Sequence, residues 1–161
     1  MPKPKYYVAR TKSTGRGLFA ARRLRPGEKI FAVKGSVMRD AYGPNYLIGK
    51  TWLCLSRGKW LAPTRQSPWF YINHSCQPNC GLRGTVTVVP MKPIPPGAEL
   101  TIDYSTTEED PYWRMRCGCG SKNCRGVIRS VSFLPEALAR KYWPYIPRYL
   151  QRAYLRSRAT A

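Results

Sequence analysis

The run Cys117-Gly118-Cys119-Gly120-Ser121-Lys122-Asn123-Cys124-Arg125-Gly126 constrains this chain more than any other segment. Apart from its thiols it offers nothing to bury, so it cannot fold around a hydrophobic centre of its own. Wrapped around a metal ion, the same run becomes a closed loop; without one it has no reason to order. Structural zinc takes four ligands in a tetrahedron, and Cys-x-Cys-x4-Cys supplies thiolates for one face of it. The fourth ligand must come from elsewhere in the chain, and Cys54, Cys76, Cys80 and His74 are the candidates.

The rest of the chain must therefore provide the core. Its 161 residues suit one domain with a small satellite module, and 43% hydrophobic residues is a globular composition. Fifteen Pro and 13 Gly point to short strands and turns rather than a helical bundle. Residues 6–9, 29–33, 47–48, 52–55, 85–89 and 99–104 read as strands, the run Thr85-Val86-Thr87-Val88-Val89 by its β-branched density. Gly15 and Gly17 break regular structure and let the backbone come close to a ligand. Leu134, Leu138 and Tyr142 recur at helical spacing, and a second helix is expected from Pro147 to about Arg156. The start, Met1-Pro2-Lys3-Pro4-Lys5, is not the apolar run of a secretory signal, and no stretch has the length of a membrane span. The expectation is a soluble, intracellular protein, cytoplasmic in a microbe and nuclear or chromosomal in a eukaryote. Thiols there serve as metal ligands or stay free rather than forming disulfides.

The chain's single histidine lies in Asn73-His74-Ser75-Cys76-Gln77-Pro78-Asn79, where an apolar approach ends in a polar cluster and a Pro-Asn turn. Asn73 offers donors and an acceptor to a polar ligand. In order along the chain stand Gly15-Arg16-Gly17-Leu18-Phe19-Ala20, then this segment, then Glu99-Leu100-Thr101-Ile102-Asp103-Tyr104, then Cys117-Gly118-Cys119 with Cys124-Arg125-Gly126. Together they resemble the SET-domain protein lysine methyltransferases of small, stand-alone type, the last piece resembling their post-SET zinc module. The likeness covers roughly residues 6–128.

The resemblance implies a β-rich α+β fold: small curved sheets with a pseudoknot, a carboxyl-terminal zinc loop and short helices. It implies a SET domain over 6–105 and a post-SET zinc module over 113–129; beyond the likeness, the residues themselves read as a basic helical extension over 130–161. The activity implied is transfer of a methyl group from S-adenosylmethionine to a protein lysine. Gly15, Arg16 and Gly17 would contact that cofactor through backbone, Asn73 and His74 would bind it, and Tyr104 would touch it as the catalytic residue. Cys76 would complete one structural zinc site with Cys117, Cys119 and Cys124. Two positions depart from the family pattern: Ile102 stands where an aromatic residue is usual, and Phe70 where Arg is frequent. The first leaves the number of methyl groups added undetermined.

Charge bears on the partner. Lys and Arg number 28 against 8 Asp and Glu, a net charge of +20. Such a surface attracts polyanions and repels basic protein tails, so the expected substrate is a histone or another protein met within a nucleic-acid complex. Between 111 and 161 basic residues alternate with aromatic ones and Glu136 is the lone acid. These aromatics can stack on bases, or they can pack on the domain and leave the basic face solvated; the second reading is preferred. A competing functional reading keeps the scaffold and the zinc but not the chemistry, leaving a protein that binds nucleic acid or a partner. No membrane association is expected.

Overall fold

The computed structural model describes residues 4–13, 15–39 and 52–160. Strands β1 (Tyr6–Arg10) and β2 (Arg16–Ala20) form an antiparallel hairpin with Tyr6 opposite Ala20. Gly15 takes φ +85° in its turn, the left-handed region that glycine enters freely. Gly17, expected to interrupt regular structure, lies inside β2 instead. A Cβ there would come within 2.5 Å of Glu99 Oε1 and 2.6 Å of Thr11 Cγ2, so its missing side chain makes room rather than a bend.

After β3 (Phe31–Ala32) come β4 (Ser36–Arg39), β5 (Leu53–Ser56) and β6 (Lys59–Ala62), the last three forming a sheet in the order β4-β6-β5. The strand expected at Leu47-Ile48 lies outside the described residues. The two-residue strand β7 (Asn73–His74) is followed by a hairpin of β8 (Cys80–Arg83) and β9 (Thr87–Pro90), with β3 along the other side of β9. Thr85 and Val86 fall in the hairpin turn rather than in the strand their composition suggests. Gly84, at φ +68°, starts the turn there and outweighs β-propensity. Strand β10 (Thr101–Ile102) is shorter than the alternation over 99–104 implies, because Tyr104–Thr106 winds into a 3-10 turn capped by Asp103, whose side chain accepts from Ser105 N. The ribbon of β11 (Arg114–Arg116) and β12 (Val127–Arg129) precedes helices α1 (Glu136–Tyr142) and α2 (Arg148–Ala159). Both helices begin directly after a proline, Pro135 and Pro147. The structure is thus mostly short strands with few helices, as expected. Among the described residues no helix is long and apolar enough to cross a membrane.

Two apolar clusters hold these pieces. Leu18, Trp69, Ile72, Leu82, Val88, Leu100 and Ile102 belong to the first, which brings β2, β7–β10 and the 3-10 turn before β7 onto one centre. The second joins Cys54 and Trp60 of β5–β6 to Val131, Leu134, Tyr142, Leu150 and Tyr154 of the carboxyl-terminal segment. The tail aromatics therefore pack on the domain, with Tyr142 3% and Tyr154 5% exposed, while Arg148, Arg152 and Arg156 stay outside. A buried polar link crosses this second core: the Trp60 indole donates to both Glu108 oxygens at 3.0 and 2.9 Å, and the amides of Glu109 and Asp110 donate to Oε1. Burial pushes the Glu108 carboxyl up to about 7, against the downward pull of the Asp110 amide, the indole and the Glu109 amide.

Two outcomes follow. An alanine Cβ at Gly81 would sit 2.5 Å from Tyr145 Cβ, so Gly81→Ala should lift the tail from β8 and lower stability by about 1–3 kcal/mol; thermal melting and faster trypsin cleavage within α2 would register it, and an unchanged melting temperature would contradict it. The folded chain also holds the Glu108 proton more tightly than the unfolded chain does, where the ordinary value is 4.5. The associated stability is complete below 4.5 and is lost as pH rises through about 7. Denaturant titrations across that window should show the decline in the native chain and a flatter profile in Glu108→Gln.

Candidate active site and metal centre

Backbone pairing assembles the site from segments far apart in sequence. Strand β7 runs parallel to β10, with Asn73 beside Thr101 and His74 beside Ile102, and Ser75 N donates to Ile102 O at 3.0 Å. Asn79 staples this crossing with its amide, donating from Nδ2 to Glu99 O at 2.7 Å and accepting from Thr101 N through Oδ1 at 2.9 Å. Tyr104, two residues beyond β10, is thereby brought against His74: its amide donates to His74 Nδ1 at 3.2 Å, and the rings meet edge-on at 5.4 Å.

Three functional side chains are oriented by these contacts. Asn73 Nδ2 donates to Glu99 Oε1 at 2.7 Å and to Arg16 O at 3.2 Å, which fixes the amide and turns Oδ1 into the acceptor it can offer a ligand. The hydroxyl of Tyr104, 5% exposed, donates to Ile72 O at 2.7 Å. Burial, aided by Glu99, raises its pKa, so the hydroxyl stays neutral and its free lone pairs can only accept. His74 Nδ1 accepts the Tyr104 amide, which places the proton of the neutral ring on Nε2, 3.4 Å from Cys76 Sγ. Burial lowers the His74 pKa to about 4, with Asp103 pulling it up and Arg125 pushing it down.

Asn73, His74 and Tyr104 open onto one cavity of about 580 Å³. Ser13 and Arg16 line one part of it, Phe70 and Tyr71 another, and Met115 to Cys119 a third. Its size falls in the range that takes a nucleoside-sized ligand. Gly15 and Gly17 do not line it themselves; they shape the strand that presents Arg16, whose guanidinium lies 5.3 Å from the Tyr71 ring centroid. Phe70 is in the cavity wall, so an apolar face replaces a charged one there.

The cysteine loop closes over the same place. Ligand atoms of His74, Cys76, Cys117 and Cys119 all lie within 4.8 Å of one another. Cys76 Sγ is 3.8 Å from Cys117 Sγ, the spacing of about 3.8 Å that two thiolates take on a tetrahedral zinc with 2.3 Å bonds. The donor set thus fits a structural metal. Cys124 is exposed, with its thiol 3.6 Å from Cys117 O and beside the Cys117 thiol. Cys54 and Cys80 are buried in the two apolar clusters, away from this group. Burial raises the Cys119 thiol, but the Ser121 hydroxyl and the Cys76 and Ser121 amides pull it down to about 6, so a thiolate is accessible there. Arg125 then ties the loop to the turn that starts at Tyr104: its Nη2 donates to Asp103 Oδ1 at 2.6 Å, its Nη1 to Ser105 Oγ at 3.3 Å, and its amide to Cys76 Sγ at 3.3 Å.

Reading the sequence alone missed the roles of Glu99, Asn79, Asp103 and Arg125. All four stand inside the quoted motifs, yet nothing in a linear pattern says which motif residue supports another. Met115 and Arg116 were missed too, although they directly precede Cys117 and so border whatever the cysteine loop covers.

Known proteins resemble this chain in sequence and fold. The SET domain family model matches residues 15–105. Human histone-lysine N-methyltransferase 2D is 30% identical over 136 residues, covering 74% of this chain but 2% of that protein. Methyltransferase flvH of Aspergillus flavus is 33% identical over 97 residues, covering 58% of this chain and 54% of that protein. This chain therefore spans a small part of the human relative and about half of the fungal one. Among solved structures, KRYPTONITE in complex with mCHG DNA and SAH superposes with a TM-score of 0.59 at 23% identity, over 76% of this chain and 28% of that one. The fold is thus common to both, and a family match over more than half of the 161 residues settles the kinship: the chain belongs to the SET-domain family.

Proposed function

We propose that the chain is a protein-lysine N-methyltransferase that draws its methyl group from S-adenosylmethionine, with Tyr104 as the catalytic residue. The observation that carries this reading is the convergence of Asn73 Oδ1, His74 and the Tyr104 hydroxyl on one cavity roofed by the cysteine loop. The relatives named as methyltransferases support it. Three parts divide the work: a SET domain at 6–105, a zinc module at 113–129 and a carboxyl-terminal extension at 130–161.

Bound there, S-adenosylmethionine supplies an electrophilic methyl on a positively charged sulfonium. Every other requirement falls on the chain. Asn73 Oδ1 suits the ammonium of an amino-acid ligand, and Gly15 in the hairpin turn with Arg16 and Gly17 of β2 present backbone to it. A lysine amine has an ordinary pKa near 10.4 and must lose its proton before it can attack. The apolar side chains of Phe70, Tyr71 and Met115 disfavour the ammonium. Tyr104, whose proton is committed to Ile72 O, offers lone pairs that can align the neutral amine; alignment of this kind is worth several kcal/mol of barrier. For the metal we assign Cys76, Cys117, Cys119 and Cys124. His74 is the closer neighbour, but its Nε2 proton makes it a donor to the Cys76 thiolate rather than a ligand. Zinc would supply cohesion, not chemistry, holding the loop as a wall of the cavity. The substrate is proposed to be a histone or another protein bound to nucleic acid, met inside the cell.

With a labelled methyl donor and host lysate, Tyr104→Phe should lower transfer by about 10²–10³-fold while cofactor affinity, read by calorimetry, changes little. Labelling equal to that of the native chain would sink the catalytic assignment, and no labelling above this variant in any lysate would favour a binding protein on a SET scaffold. Removing zinc with a chelator, or Cys119→Ser, should abolish transfer while the far-ultraviolet circular dichroism of the sheets persists. Full activity in a sample shown by atomic absorption to be zinc-free would refute the metal's role.

A further inference from the structure

The net charge of +20 is unusually free of internal compensation. Apart from Asp40, outside the described residues, every acidic side chain already has a partner within the fold. Glu28 pairs with Arg22, Glu136 with Arg140 and Asp103 with Arg125. Glu99 holds Asn73, Glu108 holds Trp60, Glu109 takes the Tyr149 hydroxyl and Asp110 the Tyr112 amide. Only Glu136 among these is exposed. Most surface cations thus face water with no carboxylate near them, and the field reaches outward.

Strand register places part of that field on the β11–β12 ribbon. Its inner face carries Met115 and buried Ile128; its outer face carries Arg114, Arg116, Val127 and Arg129, all exposed. Strand register sets Arg114 directly opposite Arg129. Like charges placed across a strand pair are unfavourable, and neither arginine meets a carboxylate among the described residues. Phe133 backs the pair by lying under the Arg129 guanidinium at 3.2 Å, and Tyr112, 66% exposed, precedes it. The ribbon is also next to the chemistry, since Met115 and Arg116 line the cavity. An anion seated between Arg114 and Arg129 would relieve their repulsion, and each guanidinium fork suits a phosphate.

We propose that the outer face of the β11–β12 ribbon, with Arg114 and Arg129 at its centre, binds the phosphate backbone of double-stranded DNA beside the methyl-transfer cavity. The inference deepens the substrate reading given above and rests on it only for its purpose: a lysine carried on a DNA-bound protein would arrive at the cavity together with the duplex. Duplex DNA fits better than an acidic peptide because the uncompensated field extends far beyond two arginines, and the duplex carries one charge per about 1.7 Å of its axis.

Fluorescence anisotropy with a labelled duplex of about 20 base pairs, titrated at several salt concentrations, tests this without any methylation assay. Arg114→Gln/Arg129→Gln should weaken binding by about 10-fold or more and flatten the log–log salt slope by about 1.8, the release expected for two phosphate contacts. The charge-matched control Arg152→Gln/Arg156→Gln, on the outer side of α2, should change affinity less than about 3-fold. Thermal melts verify that both variants fold, and Arg114→Gln alone, which leaves the Phe133 contact intact, should give about half the change in slope. Equal losses in the two double variants, no binding by the native chain, or polyglutamate bound as tightly as DNA would each overturn the proposal. Should the ribbon contrast hold while no lysate shows transfer, the ribbon assignment stands and the methyltransferase reading is the one that fails.

Discussion

Asp103 is 1% exposed, and its carboxylate is met at 2.6 Å by Arg125, a residue of the cysteine loop. A lone carboxylate at that depth would be costly, and losing one partner of a buried pair costs about 3–5 kcal/mol. This pair links two segments that share no strand ladder. Asp103 caps the turn that begins at Tyr104, and Arg125 adjoins Cys124 and passes its amide to Cys76 Sγ. The Tyr104 turn, the Asn-His-Ser-Cys segment and the cysteine loop therefore close on one charged contact. Asp103 Oδ2 and Arg125 Nε remain without a hydrogen-bond partner, so the closure is held by few bonds and depends on the loop being shaped independently. A metal would give that shape, since the loop has no apolar side chains to do so.

This interdependence explains what could and could not be read in advance. The residues proposed to touch a ligand carry distinctive chemistry in a distinctive order, so Asn73, His74, Tyr104 and the cysteines were recognisable in a linear string. Their supports were not. Glu99 orients Asn73 from 26 positions away, and Asn79 spans to Thr101 across 22. Neither residue type announces such a role, because an Asn after Pro is an ordinary turn residue. Gly17 shows the same limit from the other side: glycine signals either a turn or a close approach, and only the position of Glu99 and Thr11 decides between them. Strand ends failed at Thr85 and Tyr104 for a further reason, since a local turn overrode the propensity and alternation on which the reading relied.

The carboxyl-terminal segment divides its residue types by face. Leu150, Ala153 and Tyr154 of α2 face the second core, where Trp60 and Cys54 receive them, and Arg152 and Arg156 face solvent. Tyr142 and Tyr154, which could have served stacking, are thus used for cohesion, while the arginines of α2 stay outside. An exposed helix face of arginines supplies a general field, without a pair of arginines set opposite each other by strand register.

Charge and chemistry are coupled through that division. The seven described carboxylates are used to fix a ring, an amide, a loop or a helix turn, which leaves the surface positive as a by-product of building the site. A positive surface slows the approach of a basic protein tail and speeds that of a polyanion. Softening that field with added surface acids would ease the first effect and forfeit the second. The economical route to a basic substrate is to bind the anion that already accompanies it.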